Sequence, residues 1–95
     1  MVTVRAAPDS DGWSCFVSVE HAGVHRIHQV KVNRDDLNRW GAGTEQSDVE
    51  SLVARSFDFL LEREPPTAIL ASFDLSVIQR YFPEYDRTFR RREDK

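Results

Sequence analysis

Cysteine occurs once in these 95 residues, and glycine and proline four times each. The lone thiol, Cys15, excludes an internal disulfide and suits a reducing compartment. The longest unbroken apolar run is four residues, Ala68 to Ala71, far short of a membrane span or a signal-peptide core. Repeats and low-complexity linkers are missing too, so the chain reads as one domain with a modest core. Strong charge of one sign is also lacking: 13 Lys+Arg against 16 Asp+Glu leave −3 and a pI near 5.5. That balance supplies no broad positive field for a polyanion. A hydrophobic content of 40%, with 11% aromatics, argues against whole-chain disorder. The expected location is the cytoplasm, without membrane association. Eleven arginines stand against two lysines, as GC-rich codon usage produces, which points to a bacterial source.

What is present is a strand-rich first third followed by helical patterning, with the switch near Asn33. Val2 to Arg5 begin an alternation, and Ala7 to Gly12 are dense in turn formers. Trp13–Glu20 and Val24–Val32 are rich in β-branched and aromatic residues and flank His21-Ala22-Gly23. A two-residue turn at Ala22-Gly23 sets Trp13 opposite Val32, Cys15 opposite Val30, Val17 opposite His28 and Val19 opposite Arg26. The other face pairs Ser14 with Lys31, Phe16 with Gln29, Ser18 with Ile27 and Glu20 with His25. A slip of one residue would set Lys31 opposite Cys15 and destroy the segregation of apolar from polar faces.

Asn33 can cap a helix over Arg34 to Trp40, which Gly41 and Gly43 end. Ser47 followed by Glu50 forms a capping-box pattern. Val49, Leu52, Val53, Phe57, Leu60 and Leu61 then recur at helical spacing until Pro65 and Pro66 stop the run. Thr67 can cap a short helix through Ala71. Asp74 can cap another, with Leu75, Ile78 and Phe82 on one face. The expected fold class is α+β: a three-stranded antiparallel, hairpin-based sheet packed on a long helix, followed by a small helical C-terminal unit. The domain is expected over residues 1–86, with 87–95 a charged, mobile tail.

Chemistry finds little to stand on. His21, His25 and His28 lie on a hairpin, where they point in different directions and do not converge on one ion. Cys15 falls on the core face, where burial makes a thiol inert. Asp58, Glu62 and Glu64, interspersed with Arg55 and Arg63, read as a solvated helix face. No nucleophile-elbow, P-loop, dinucleotide or zinc-protease motif occurs. No catalytic residue, metal or cofactor is therefore assigned.

Two surface readings remain. Tyr81 and Tyr85, with Phe89, are candidates for an aromatic partner-binding patch, since tyrosine is favoured at interfaces; the alternative is that the tyrosines lid the helical unit. Sheet edges offer a second contact, with a partner peptide or another protomer. Arg87, Arg90, Arg91 and Arg92, with Gln79 and Arg80 upstream, are candidates for nucleic-acid contact. Thr67 to Phe82 also has a helix-turn-helix look, without the usual turn glycine. Acidic neighbours dilute the arginine cluster, so nucleic acid is the disfavoured partner.

The string SFDFLLEREPPTAILASFDLSVIQRYFPEY, Ser56 to Tyr85, resembles a group of small uncharacterised bacterial proteins. These share an SF-x-FLLEREP stretch followed by IL-x-x-FDL-x-x-I-x-x-YFPEY. The resemblance extends weakly upstream and implies kinship of fold; it brings no activity, ligand or catalytic residue. The leading functional reading is a non-enzymatic interaction or regulatory module, with a protein partner or a second copy bound. A nucleic-acid-binding regulator comes second, and a small enzyme or metal protein third.

Overall fold

The computed structural model describes residues 1–10 and 12–90. The order is β1 (Val2–Asp9), β2 (Gly12–His21), β3 (Val24–Asn33), α1 (Arg34–Trp40), α2 (Gln46–Leu61), a 3₁₀ turn (Pro66–Ala68), β4 (Ser72–Asp74), α3 (Val77–Tyr81) and α4 (Glu84–Phe89). The class is α+β. The sheet has four strands in the order β1-β2-β3-β4, the first three antiparallel and β4 parallel to β3.

The β2–β3 register is the one the facial segregation demands, with Cys15 opposite Val30 and Val17 opposite His28. Ala22 (φ 55°) and Gly23 (φ 80°) both take positive φ, the backbone of a primed two-residue turn whose twist matches the strands. Inward residues Cys15, Val17, Val19, Val30 and Val32 are buried against the helices. The opposite face carries Phe16 and Ile27, both more than half exposed.

The helix α1 begins where Asn33 predicts: its side chain accepts from the Asp36 amide at 2.8 Å, and Asp36 accepts from the Asn33 amide at 3.1 Å. The start of α2 differs from the Ser47 expectation. The helix begins at Gln46, and the Asp48 carboxylate accepts from the Glu45 amide at 3.1 Å. Glu50 is thereby free to reach the sheet, where its carboxylate accepts from the Ala6 amide of β1 at 3.0 Å. Buried positions on α2 include Val49, Leu52, Val53, Phe57 and Leu60 as expected, and also Ser56 and Phe59. These last two form a second face that receives the C-terminal helices.

Other expectations are corrected beyond α2. The three-stranded antiparallel sheet gains a fourth, parallel strand. Between Pro65 and Asp74 there is one 3₁₀ turn and a strand, not a Thr67-capped helix, and Asp74 ends that strand instead of capping α3, which starts at Val77 behind Ser76. The Gln29 amide donates to the Ala71 carbonyl (2.8 Å) and the Leu75 amide to the Lys31 carbonyl (2.9 Å), drawing this segment onto the sheet. A strand therefore occupies the middle of the proposed helix-turn-helix, so that motif is absent.

At the C-terminus α4 runs over Glu84–Phe89. The helix α4 crosses the expected domain boundary at residue 86, because Tyr85 is fully buried and anchors it. The Tyr85 hydroxyl lies 2.7 Å from Ser56 Oγ, and its ring stacks on Phe89 with centroids 4.4 Å apart. The Trp40 indole N–H donates to Asp86 at 2.9 Å, closing α1 onto α4. Of the expected tail, 87–89 are helical and 91–95 lie outside the described residues.

Candidate functional site

Where α2 ends, the chain must pass Pro65 and Pro66, which cannot continue an α-helix, and return to the sheet as β4. A groove of about 240 Å³ opens between the end of α2, β4 and α3. Leu60 and Ile78, both buried, belong to its lining together with Ile69 and Phe73. Two exposed apolar side chains stand at it: Leu70, 50% exposed, and Tyr81, 68% exposed. Leu70 is held by its main chain, for His28 Nδ1 lies 2.8 Å from the Leu70 carbonyl. A carbonyl only accepts, so Nδ1 carries the proton and donates. His28 Nε2 is buried with no partner among the described residues.

Glu64 is the one charged side chain lining this groove among the described residues. Its neighbour Arg63 is occupied elsewhere. The Arg63 guanidinium sits 3.6 Å over the Phe59 ring, donates to the Phe59 carbonyl at 2.9 Å and pairs with Glu84 at 3.2 Å. Among the described residues, the Glu64 carboxylate has no hydrogen-bond or ion-pair partner. The groove thus combines an apolar lining with one uncompensated negative charge.

The other sequence-derived candidates scatter. Tyr81 is at the surface. Tyr85 is withdrawn from it, and Phe89 is half-buried between Tyr85 and Phe59. The expected aromatic patch is therefore reduced to Tyr81. Burial pushes the Tyr85 hydroxyl well above the ordinary tyrosine range, against a smaller opposing pull from its Ser56 hydrogen bond.

Gln79 is half-buried on α3, and Arg80 and Arg87 are exposed. Arg90 pairs with Asp86 at 2.9 Å. The Asp86 carboxyl is held below its ordinary range, first by the Trp40 indole and then by Arg90. Arg39 and Arg55 lie over the Trp40 and Phe89 rings, at 5.0 and 5.2 Å. Arg91 and Arg92 lie outside the described residues. Of the sequence-derived arginines that are described, Arg90 is engaged by Asp86, and Arg80 and Arg87 are exposed.

The reactive candidates are separated as well. Cys15 is fully buried; desolvation, with a smaller push from the Glu50 charge, raises its thiol to about 12. His25 Nε2 lies 3.0 Å from Ser18 Oγ on the solvent face, opposite to His28. Among the described residues, no three His, Cys, Asp or Glu side chains are grouped to hold a metal ion. No helix among the described residues is long and apolar enough to cross a membrane.

Sequence reasoning missed Leu70 and Glu64. Leu70 sits within the longest apolar run, a signal that was open to reading. Glu64 reads in the sequence as part of a solvated face, because the turn that brings it to the groove depends on β4. The chain matches no family model, no curated protein and no solved structure.

Proposed function

We propose that the chain is a non-enzymatic protein-interaction or regulatory module of the bacterial cytoplasm, working through the groove between α2, β4 and α3. The supporting observation is the pair of exposed apolar side chains, Leu70 and Tyr81, beside an apolar groove with one unpaired carboxylate. A large apolar side chain left in water gains about 1.5–3 kcal/mol on full burial, so this pair favours a partner that covers it. The occupant is a segment of a partner protein bearing an apolar anchor and a positive charge, the complement of the groove and Glu64.

The nucleic-acid reading has less behind it. Its helix-turn-helix basis is gone, and Arg39, Arg55, Arg63 and Arg90 already contact internal groups. An enzymatic reading would need His25 or His28 to face a carboxylate; they contact Ser18 and the Leu70 carbonyl instead.

The test is a selection from a displayed random-peptide library, followed by mapping of the winners on the labelled protein. Enriched peptides should perturb the resonances of Leu70 and Tyr81. They should lose binding to a Leu70→Ser, Tyr81→Ser double variant that keeps the wild-type melting behaviour. Winners that map elsewhere, or a selection without enrichment, would reject this surface.

A further inference from the structure

We infer that the occupant of the groove is an extended segment that adds a fifth strand to the sheet at β4. One of its apolar side chains enters the groove, and a Lys or Arg two positions away meets Glu64. This rests on reading the groove as a docking surface and adds the mode and the chemistry of recognition.

The inference begins with ladder parity. In a parallel pair, alternate residues turn both main-chain groups to the neighbouring strand. Ala71 accepts from Gln29 and Leu75 donates to Lys31, so Ala71, Phe73 and Leu75 are the residues that bond β3. Ser72 and Asp74, between them, aim their amides and carbonyls away from β3. β4 ends the strand order, both residues are exposed, and no described group bonds these outward-facing atoms. Main-chain donors and acceptors in this arrangement are a template for another strand.

Side-chain direction supplies the second step. Phe73 is paired with Val30, which is buried on the helix side of the sheet, so Phe73 points to that side. A residue of an added strand lying beside Phe73 faces the same way and enters the groove that Phe73 lines. The next residue on that face is two positions along, about 6.6–6.8 Å away. The groove has one charged side chain in its lining among the described residues, Glu64, and a cation entering it would neutralise that charge in partly apolar surroundings. Main-chain pairing provides attraction independent of sequence; the apolar and basic pair provides selectivity.

The probe is an eight-residue peptide with threonine at odd positions and valine, leucine, arginine and valine at even ones, titrated into the isotope-labelled full chain. The Ser72 and Asp74 amides should shift and gain protection from exchange. Glu64→Lys should weaken binding roughly tenfold or more, and a peptide with glutamate in place of its arginine should recover that loss. Ser72→Pro should weaken binding by a similar factor, roughly tenfold, because it deletes an outward donor and leaves the ladder to β3 intact.

Shifts at Leu70 and Tyr81 with Ser72 and Asp74 unprotected would overturn strand addition and leave the docking surface standing. Binding indifferent to Glu64→Lys would overturn the charge assignment. Should Ser72→Pro fail to fold, the charge swap still decides. Failure of this peptide together with failure of the library at the groove would overturn both readings. A dimer that occupies the groove without any peptide would overturn the partner segment.

Discussion

The two edges of the sheet are treated differently. β1 runs for eight residues along one edge, and β4 for only three along the other. Because the Glu20 amide donates to the Met1 carbonyl, the odd-numbered residues of β1 are those that bond β2, and the even-numbered ones face outward. Of these outward positions, Ala6 has its amide occupied by Glu50 at 3.0 Å, and Pro8 has no amide to offer. The outward row is thus interrupted at half of its positions. No such guard stands at Ser72 or Asp74 among the described residues. A long open edge invites indiscriminate pairing, whereas a very short one can be left open and joined to a side-chain groove that selects its partner. Edge protection in this sheet follows strand length.

The largest effect expected falls on the β4 side. Leu60 is buried and lines the groove, so Leu60→Ala should lower stability by about 2–5 kcal/mol and widen the groove at the same time. Urea unfolding measures the loss; a value below about 1 kcal/mol would mean that this face of α2 is not core. The counterpart is Gly12, the first residue of β2, which lies between Asp9 of β1 and Asn33 of β3. A Cβ there would come 2.2 Å from the Val32 carbonyl oxygen and 2.8 Å from the Asn33 Cα, both main-chain atoms that cannot easily give way. Gly12→Ala should therefore cost about 1–3 kcal/mol, read in the same unfolding experiment, with amides losing exchange protection first at the end of β2 and β3 where Gly12 pairs with Asn33. If β4 amides lost protection first, the close approach at Gly12 would be supporting the β4 edge instead.

How much of this contrast the sequence disclosed depends on the length of each element. Long strands with apolar alternation disclose the register of the β2–β3 hairpin to the residue, and Asn33 discloses the start of α1, because both carry repeated or stereochemically specific signals. β4 has three residues and a single inward side chain, Phe73, too few for any period to register. Its existence depends on main-chain bonds to a strand far earlier in the chain, and those leave no mark on composition. The same holds for Tyr85, whose burial follows from Ser56 and Phe59 forming a second face of α2. A serine on a helix gives no warning that it will bind a tyrosine. The groove inherits both omissions: in the sequence Tyr81 and Tyr85 read alike, as a patch or as a lid, and Glu64 reads as part of a solvated face.

A substitution remote from both edges serves as the control for the contrast. Ala22 sits at φ 55°, a conformation that Asn tolerates better than Ala, and Asn-Gly is the favoured pair for this turn. Ala22→Asn should raise stability by about 0.5–1 kcal/mol in thermal unfolding, without altering exchange at either edge. Tightening the β2–β3 hairpin should leave the Ser72 and Ala6 amides in the order they already have. A stability loss would mean that the turn is not of the primed type.

The smallest effect is confined to one amide and tests the β1 guard directly. Folding holds the Glu50 carboxyl below its ordinary value of 4.5, chiefly through the Ala6 amide, then Gln46. A depressed carboxylate contributes above its unfolded value and loses that contribution as pH falls through its folded one. The Ala6 guard should therefore be complete above about pH 4.5 and released progressively below it. Amide exchange at Ala6, corrected for its intrinsic pH dependence, should quicken across that window, while exchange at Ser72 follows the intrinsic rate throughout. Glu50→Gln keeps an acceptor oxygen but removes the titration, so Ala6 protection should become independent of pH. Persistent pH dependence in that variant would assign the guard to another acid, and the asymmetry between the two edges would then need a different cause.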